Sequence, residues 1–81
     1  MDIAGILVMA RPERVQAVQV GLTAVPGVEV HAGDGKGQLV VTIEASSEDM
    51  MSVMTKIHDV PGVLAANLVY QHTNIEDEER A

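Results

Sequence analysis

The 81-residue chain carries 12 acidic side chains against five Lys plus Arg, a formal net charge of −7, and 47% of its residues are hydrophobic. A chain of this length is expected to form one domain with one core. Because it has no cysteine, disulfide scaffolds, thiolate metal sites and cysteine nucleophiles are excluded. The acidic balance and a single aromatic residue, Tyr70, argue against nucleic-acid binding, which needs a basic face and stacking groups.

The chain shows no signal for membrane insertion or export. No apolar run reaches the roughly 18–20 residues that a membrane span requires. The N-terminal Met1-Asp2 also lacks the basic region of an export signal. We therefore expect a soluble cytoplasmic protein that works by binding.

The first half of the chain predicts a strand, a helix and two further strands. Residues 3–10 form an apolar strand, and Pro12 suits the first turn of the helix that follows. Apolar residues then recur at helical spacing, namely Val15, Val18, Leu22 and Val25. Pro26-Gly27 ends this helix. Residues 28–31 alternate as a half-buried strand, residues 33–37 form a hairpin loop, and residues 39–44 alternate as the third strand.

The second half predicts one more helix and one more strand. Ser46 or Ser47 caps the helix, and the acids that follow suit its positive first turn. The helical stripe consists of Met50, Val53, Ile57 and Val60. Pro61-Gly62 ends the helix, and residues 63–72 form the last strand. Residues 73–81 are strongly acidic, and we expect them to be a disordered tail on a single domain of residues 1–72.

The two halves repeat one plan. Val25-Pro26-Gly27-Val28 recurs 35 positions later as Val60-Pro61-Gly62-Val63, and the same offset aligns Ile6 with Val41 and Leu22 with Ile57. Two βαβ units with right-handed crossovers make a ferredoxin-like α+β sandwich, βαββαβ, with a four-stranded antiparallel sheet and both helices on one face. The first and third strands are then central, and the second and fourth are the edges.

Alternation in the strands predicts which side chains meet the helices. Leu39, Val41 and Ile43 are expected to face the helices, and the repeat adds Ile6 and Val8. The uncovered face would then carry Leu7, Met9, Val40, Thr42 and Glu44. The last strand stays ambiguous, because the parity that turns Val63 inward also buries Asn67. A bulge or the opposite parity would each remove that conflict.

No cofactor or metal site is predicted. The loop Gly33-Asp34-Gly35-Lys36-Gly37 is interpreted as a hairpin turn, because a phosphate-binding loop needs Ser or Thr after its Lys and a helix next. His31, His58 and His72 lie on separate predicted elements, which favours structural or solvated roles over metal binding. No catalytic grouping is visible, so we expect no enzyme activity.

Five segments, in order and spacing, resemble the NapD family of small cytoplasmic chaperones. They are Gly5-Ile6-Leu7-Val8, Pro26-Gly27-Val28-Glu29-Val30, Gly37-Gln38-Leu39-Val40-Val41 running to Glu44-Ala45, Gly62-Val63-Leu64-Ala65, and Leu68-Val69-Tyr70. The resemblance implies a protein that binds the twin-arginine signal peptide of the periplasmic nitrate reductase catalytic subunit while the molybdenum cofactor of that enzyme is inserted. It also implies that the chaperone has no cofactor and delays export of the immature enzyme.

A receptor for such a peptide needs acids beside an exposed apolar surface, because two arginines precede an apolar stretch. We expect the arginines to meet Glu29, Glu44 and Asp34. The apolar stretch could lie as a helix on the uncovered sheet face formed or bordered by Leu7, Met9, Val40, Thr42 and Tyr70, or an extended peptide could add to an edge strand. We favour the helix, because the apolar stretch then buries its side chains. The alternative is a small-molecule sensor or subunit-interaction module, in which edge strands pair across a homodimer.

Overall fold

The computed structural model describes residues 1–73 and has the order βαββαβ. The elements are β1 (Asp2–Ala10), α1 (Val15–Thr23), β2 (Val28–Gly33), β3 (Gln38–Ala45), α2 (Ser47–His58) and β4 (Val63–Thr73). The four strands form one antiparallel sheet in the order β2-β3-β1-β4. The predicted ferredoxin-like fold is confirmed, with β1 and β3 at the centre. Thr73 closes β4, and the rest of the predicted acidic tail lies outside the described residues.

The two helices begin differently, and only one of them has a side-chain cap. Ser46 precedes α2, and its Oγ accepts a hydrogen bond from the Asp49 amide at 3.2 Å. The chain before α1 instead forms a 3-10 turn, Pro12–Arg14, with no side-chain cap. The α-helix therefore starts at Val15, three residues later than the position of Pro12 predicted.

The two Val-Pro-Gly-Val segments form matching turns between a helix and the next strand. The amide of Val28 donates to the carbonyl of Val25 at 3.1 Å, and the amide of Val63 donates to the carbonyl of Val60 at 3.1 Å. The glycines have positive φ, 87° in Gly27 and 100° in Gly62. Pro followed by a positive-φ Gly is the sequence that a type II turn requires. These turns bring β2 and β4 onto the sheet in equivalent ways.

The core lies between the sheet and the two helices. Repeat-related residues are buried in both halves, as with Val18 and Val53, and Leu22 and Ile57. The five strand residues predicted to face the helices are all buried: Ile6, Val8, Leu39, Val41 and Ile43. With no Phe or Trp in the chain, the core is aliphatic apart from Met50.

Two bulges in β4 resolve the ambiguity of the last strand. Met9 pairs with Ala65 and Ala10 with Val63, so Leu64 is an extra residue; Gly5 pairs with Tyr70 and Ile6 with Leu68, so Val69 is another. Val63 can thus face the helices while Asn67 faces the other side. The bulge at Leu64 reverses the alternation, which turns Asn67 away from the helices, and the bulge at Val69 reverses it again, so that Tyr70 also faces away from them.

Candidate functional site

One whole side of the sheet is left uncovered by the helices. We call this surface the open face. It comprises Ile3, Gly5, Leu7 and Met9 of β1; Glu29, His31 and Ala32 of β2; Gln38, Val40, Thr42 and Glu44 of β3; and Ala65, Asn67, Tyr70 and His72 of β4. Seven of the eight residues predicted for the binding site belong to it, and Asp34 lies in the loop at its border.

The open face has an apolar end near the β2–β3 hairpin. Leu7 pairs with Val40 across the two central strands, and Met9 follows on β1. Val40 is 48% exposed, an unusual exposure for a large aliphatic side chain on a central strand. A shallow hollow of about 230 Å³ lies beside this pair, between β1 and the hairpin. This end can therefore accept an apolar partner.

The opposite end of the open face is acidic. Glu29 pairs with Thr42, and Glu44 pairs with Ile3. These four side chains and His31 contribute to a second hollow of about 480 Å³. Both carboxylates are exposed, so they can pair with a cation without being fully desolvated. The face thus separates apolar contact from negative charge.

His31 lies at the acidic end because β2 carries a bulge there. Val30 pairs with Val41 and Ala32 with Val40, which leaves His31 as the extra residue. Its Nε2 lies 2.7 Å from Thr42 Oγ1 and 3.8 Å from Glu29 Oε1. The structural role predicted for this histidine therefore includes a cross-strand hydrogen bond on the open face.

Tyr70 extends from the edge strand across a central strand. A Cβ built on Gly5 would lie 2.6 Å from Tyr70 Cδ1 and 2.9 Å from Cζ, and it would overlap Cε1. The ring therefore occupies the space that any larger residue at position 5 would fill. Tyr70 is 49% exposed, so one side lies against the backbone of β1 while much of the residue faces solvent.

Asp34 has a local role in the β2–β3 turn. Its Oδ1 accepts hydrogen bonds from the amides of Lys36 at 2.7 Å and Gln38 at 3.0 Å. Donation by the Gln38 amide, followed by that of Lys36, lowers the pKa of the Asp34 carboxyl. One carboxylate oxygen is thus already engaged in holding the turn.

The charge distribution over the strands is one-sided. Asp2, Glu29 and Glu44 are the acidic residues of the four strands, and no strand contains Lys or Arg. Asp2 is buried at the end of β1, and its Oδ1 has no hydrogen-bond partner among residues 1–73. The two exposed carboxylates therefore give the open face its negative charge.

Several open-face residues were not among those predicted. Alternation along β1 and β3 already implied Ile3 and Gln38. Alternation from Glu29 also implied His31, whereas Ala32 depended on the bulge in β2 and Asn67 on the bulge at Leu64 in β4. Alternation alone does not indicate where an extra residue enters a strand.

The part of the chain that the structure describes offers neither a metal centre nor a membrane span. Within residues 1–73, no three His, Asp or Glu side chains converge in a way that could hold a metal ion. None of the helices in that range has the length and hydropathy needed to cross a membrane.

The comparisons with known proteins agree with one another. The profile of the NapD protein family matches residues 1–74. The chain is 37% identical over 80 residues to the chaperone NapD of Escherichia coli K12, covering 96% of this chain and 92% of that protein. It is 32% identical over 81 residues to the chaperone NapD of Paracoccus pantotrophus, covering 100% of this chain and 72% of that one.

Solved structures give the same result. The solution structure of the E. coli Tat proofreading chaperone NapD matches with a TM-score of 0.79 at 37% identity, covering 95% of this chain and 83% of that chain. A crystal structure of a Thermus thermophilus protein matches with a TM-score of 0.76 at 26% identity, covering 91% of this chain and 95% of that chain. With the profile match over nearly the whole sequence, the chain belongs to the NapD family, which is a family of chaperones and not of enzymes.

Proposed function

We propose that this protein is a cytoplasmic chaperone that binds the twin-arginine signal peptide of the periplasmic nitrate reductase catalytic subunit on its open face. While the peptide is bound it cannot engage the export machinery, so export waits until the molybdenum cofactor has been inserted. The observation that carries the proposal is the open face itself, which is apolar at one end, acidic at the other and free of Lys and Arg in all four strands.

The chemistry of the peptide matches that division. Its apolar stretch can bury Leu7, Val40 and Met9, and its arginines can reach Glu29 and Glu44. Ion pairs between exposed groups contribute only about 0–1 kcal/mol each. Burial of a Val or Leu side chain contributes about 1.5–3 kcal/mol. Affinity should therefore come mainly from the apolar end, while the acidic end sets the register of the peptide.

The edge strands favour binding on the face over addition of a strand to an edge. β4 has bulges at Leu64 and Val69, and β2 has one at His31. Bulges twist an edge and interrupt its row of free backbone groups, which makes it a poor template for another strand. The same feature disfavours the alternative sensor or subunit module, in which edges would pair across a dimer.

A larger hollow elsewhere lacks the required chemistry. It measures about 530 Å³ and lies on the outer side of α1, lined by Gln16, Gln19, Val20, Thr23 and Ala24. None of these residues carries a charge, so the hollow offers no partner for an arginine. The open face is the better receptor.

The test is calorimetric titration of the protein with the signal peptide and with a version whose two arginines are Gln. We expect one-to-one binding that the Gln peptide weakens. The double variant Leu7→Glu, Val40→Glu should lower affinity at least about 100-fold, because two apolar side chains no longer contribute burial. Thermal unfolding followed by circular dichroism shows whether this double variant is folded. If it is not, the double variant Leu7→Gln, Val40→Gln takes its place in the titration.

The matched control is Met51→Glu. Met51 is 74% exposed on α2, away from the open face, and the substitution places on another apolar surface residue the charge that each of the two open-face substitutions adds. Affinity in this variant should equal that of the wild type. Unchanged affinity in the folded open-face variants would refute the proposed site, and absence of any peptide binding would refute the proposed function.

A further inference from the structure

The Tyr70 ring is held over the middle of the open face by two features of the sequence. The bulge at Val69 puts Tyr70 on the same face as its partner Gly5. The missing side chain at Gly5 then leaves room for the ring to lie across β1. No other Phe, Trp or Tyr occurs in the chain, so this is the one aromatic ring of these types that the protein can offer a partner.

Acidic side chains lie on the far side of this ring from β4. Gly5 pairs with Thr42, and Glu44 is two residues further along β3 on the same face. Such a diagonal neighbour lies about 7–8 Å away. Glu29 pairs with Thr42 from the next strand. A cation placed over the ring would therefore have carboxylates within reach of its edge and no strand Lys or Arg to repel it.

A guanidinium group suits this arrangement better than an ammonium group. It is planar, so it can stack on an aromatic face while its edge donates hydrogen bonds to carboxylates. The Lys ammonium is a compact and strongly hydrated point charge, which gains less from a flat ring. The combination of a half-exposed ring and nearby acids thus favours Arg over Lys.

We propose that Tyr70 is a specificity-determining residue of the open face: its ring, seated on Gly5, stacks on an arginine guanidinium of the bound peptide and discriminates against lysine. This inference rests on the proposed function and names the residue that carries one part of it. Leu7 and Val40 contribute the same affinity whether the peptide carries arginine or lysine, whereas Tyr70 makes the affinity depend on which of the two is present.

The experiment compares the twin-arginine peptide with a version carrying two lysines, both without Tyr or Trp. Affinities are measured by calorimetry for the wild type, Tyr70→Leu, Tyr70→Phe and the control Val69→Ala. Val69 adjoins Tyr70 but is the extra residue of the bulge and is 67% exposed. In the wild type, Tyr70 fluorescence reports binding at this position, because the chain has no other Tyr and no Trp.

We expect Tyr70→Leu to reduce the preference for arginine over lysine about two- to fivefold, as an exposed cation–π contact would. Tyr70→Phe should keep the preference, because it keeps the ring, and Val69→Ala should match the wild type. In proton NMR, side-chain signals of one peptide arginine should shift upfield on binding to the wild type and not to Tyr70→Leu.

Two results would overturn the assignment. Equal loss of affinity for both peptides in folded Tyr70→Leu would make the ring a general apolar contact, and an unchanged preference would remove it from recognition. Both leave the proposed function standing, since the peptides still bind. Failure of the wild type to bind either peptide would overturn the inference together with the proposed function.

Discussion

At the scale of single residues, the open face depends on the cross-strand pairing of Gly5, which has no side chain, with the large aromatic residue Tyr70. Gly5 is buried although it lies on the uncovered side of the sheet, because the Tyr70 ring covers it. Its φ is not positive, so the backbone itself would accept a larger residue. The requirement for glycine comes from the ring alone. Because Gly5 leaves room for the ring, Tyr70 of the edge strand β4 lies over the central strand β1.

A double-mutant cycle tests this pairing through stability. In the wild type, Gly5→Ala must displace the ring, which should offset the usual gain when alanine replaces a strand glycine. In a Tyr70→Ala background the same change should raise the free energy of unfolding by about 0.5–1 kcal/mol. We expect a coupling of about 1 kcal/mol, measured by urea unfolding followed by circular dichroism. The same effect of Gly5→Ala in both backgrounds would show that the ring does not rest on Gly5.

At the scale of elements, the β2–β3 hairpin depends on the carboxylate of Asp34. The amides of Lys36 and Gln38 both donate to one of its oxygens. These bonds favour the ionised form, which is why the pKa of Asp34 is lowered in the folded protein. A lowered carboxyl pKa adds stability above the pKa of the unfolded chain, and this stability is lost as the pH falls through the folded value.

Asp34→Asn should therefore be less stable than the wild type at neutral pH. The difference should shrink as the pH falls below about 4, where Asp in an unfolded chain takes up a proton, and vanish once the folded carboxyl is also protonated. Urea unfolding over a pH series measures it. The exposed acid Glu13, changed to Gln, controls for loss of one negative charge. A constant difference across the series would mean that the carboxylate does not hold the turn.

The elements also show what could be predicted from sequence and what could not. The repeat and the apolar spacing were sufficient for the six main elements, the strand order and the inward residues Leu39, Val41 and Ile43, because burial of one face imposes a period on the sequence. The bulges at His31, Leu64 and Val69 carry no such period. Their positions depend on how each edge strand fits its neighbour, and they decide that Ala32, Ala65 and Asn67 face the uncovered side. The central strands of the candidate site were therefore predictable, and its edge-strand contributions only in part.

At the scale of the whole molecule, the bases among residues 1–73 lie off the sheet, whereas acids lie both on the sheet and outside it. Within residues 1–73, all four Lys and Arg residues lie outside the strands, whereas the exposed acids Glu29 and Glu44 lie on the open face. With a net charge of −7, the protein attracts a cationic peptide from a distance, and the open face holds no strand base to oppose its approach. Long-range attraction of this kind raises association rates more than it strengthens the final complex.

Salt should thus act on the two rate constants unequally. Raising the ionic strength from about 0.05 to 0.5 M shortens the screening length from more than 10 Å to a few ångströms. The association rate of the twin-arginine peptide should fall on the order of tenfold, measured by stopped-flow fluorescence of Tyr70. The dissociation rate should change little, since burial against Leu7 and Val40 is insensitive to screening. The peptide with Gln in place of both arginines should lose most of this salt dependence. A salt effect carried mainly by dissociation would mean that ion pairs, and not apolar contact, hold the complex together.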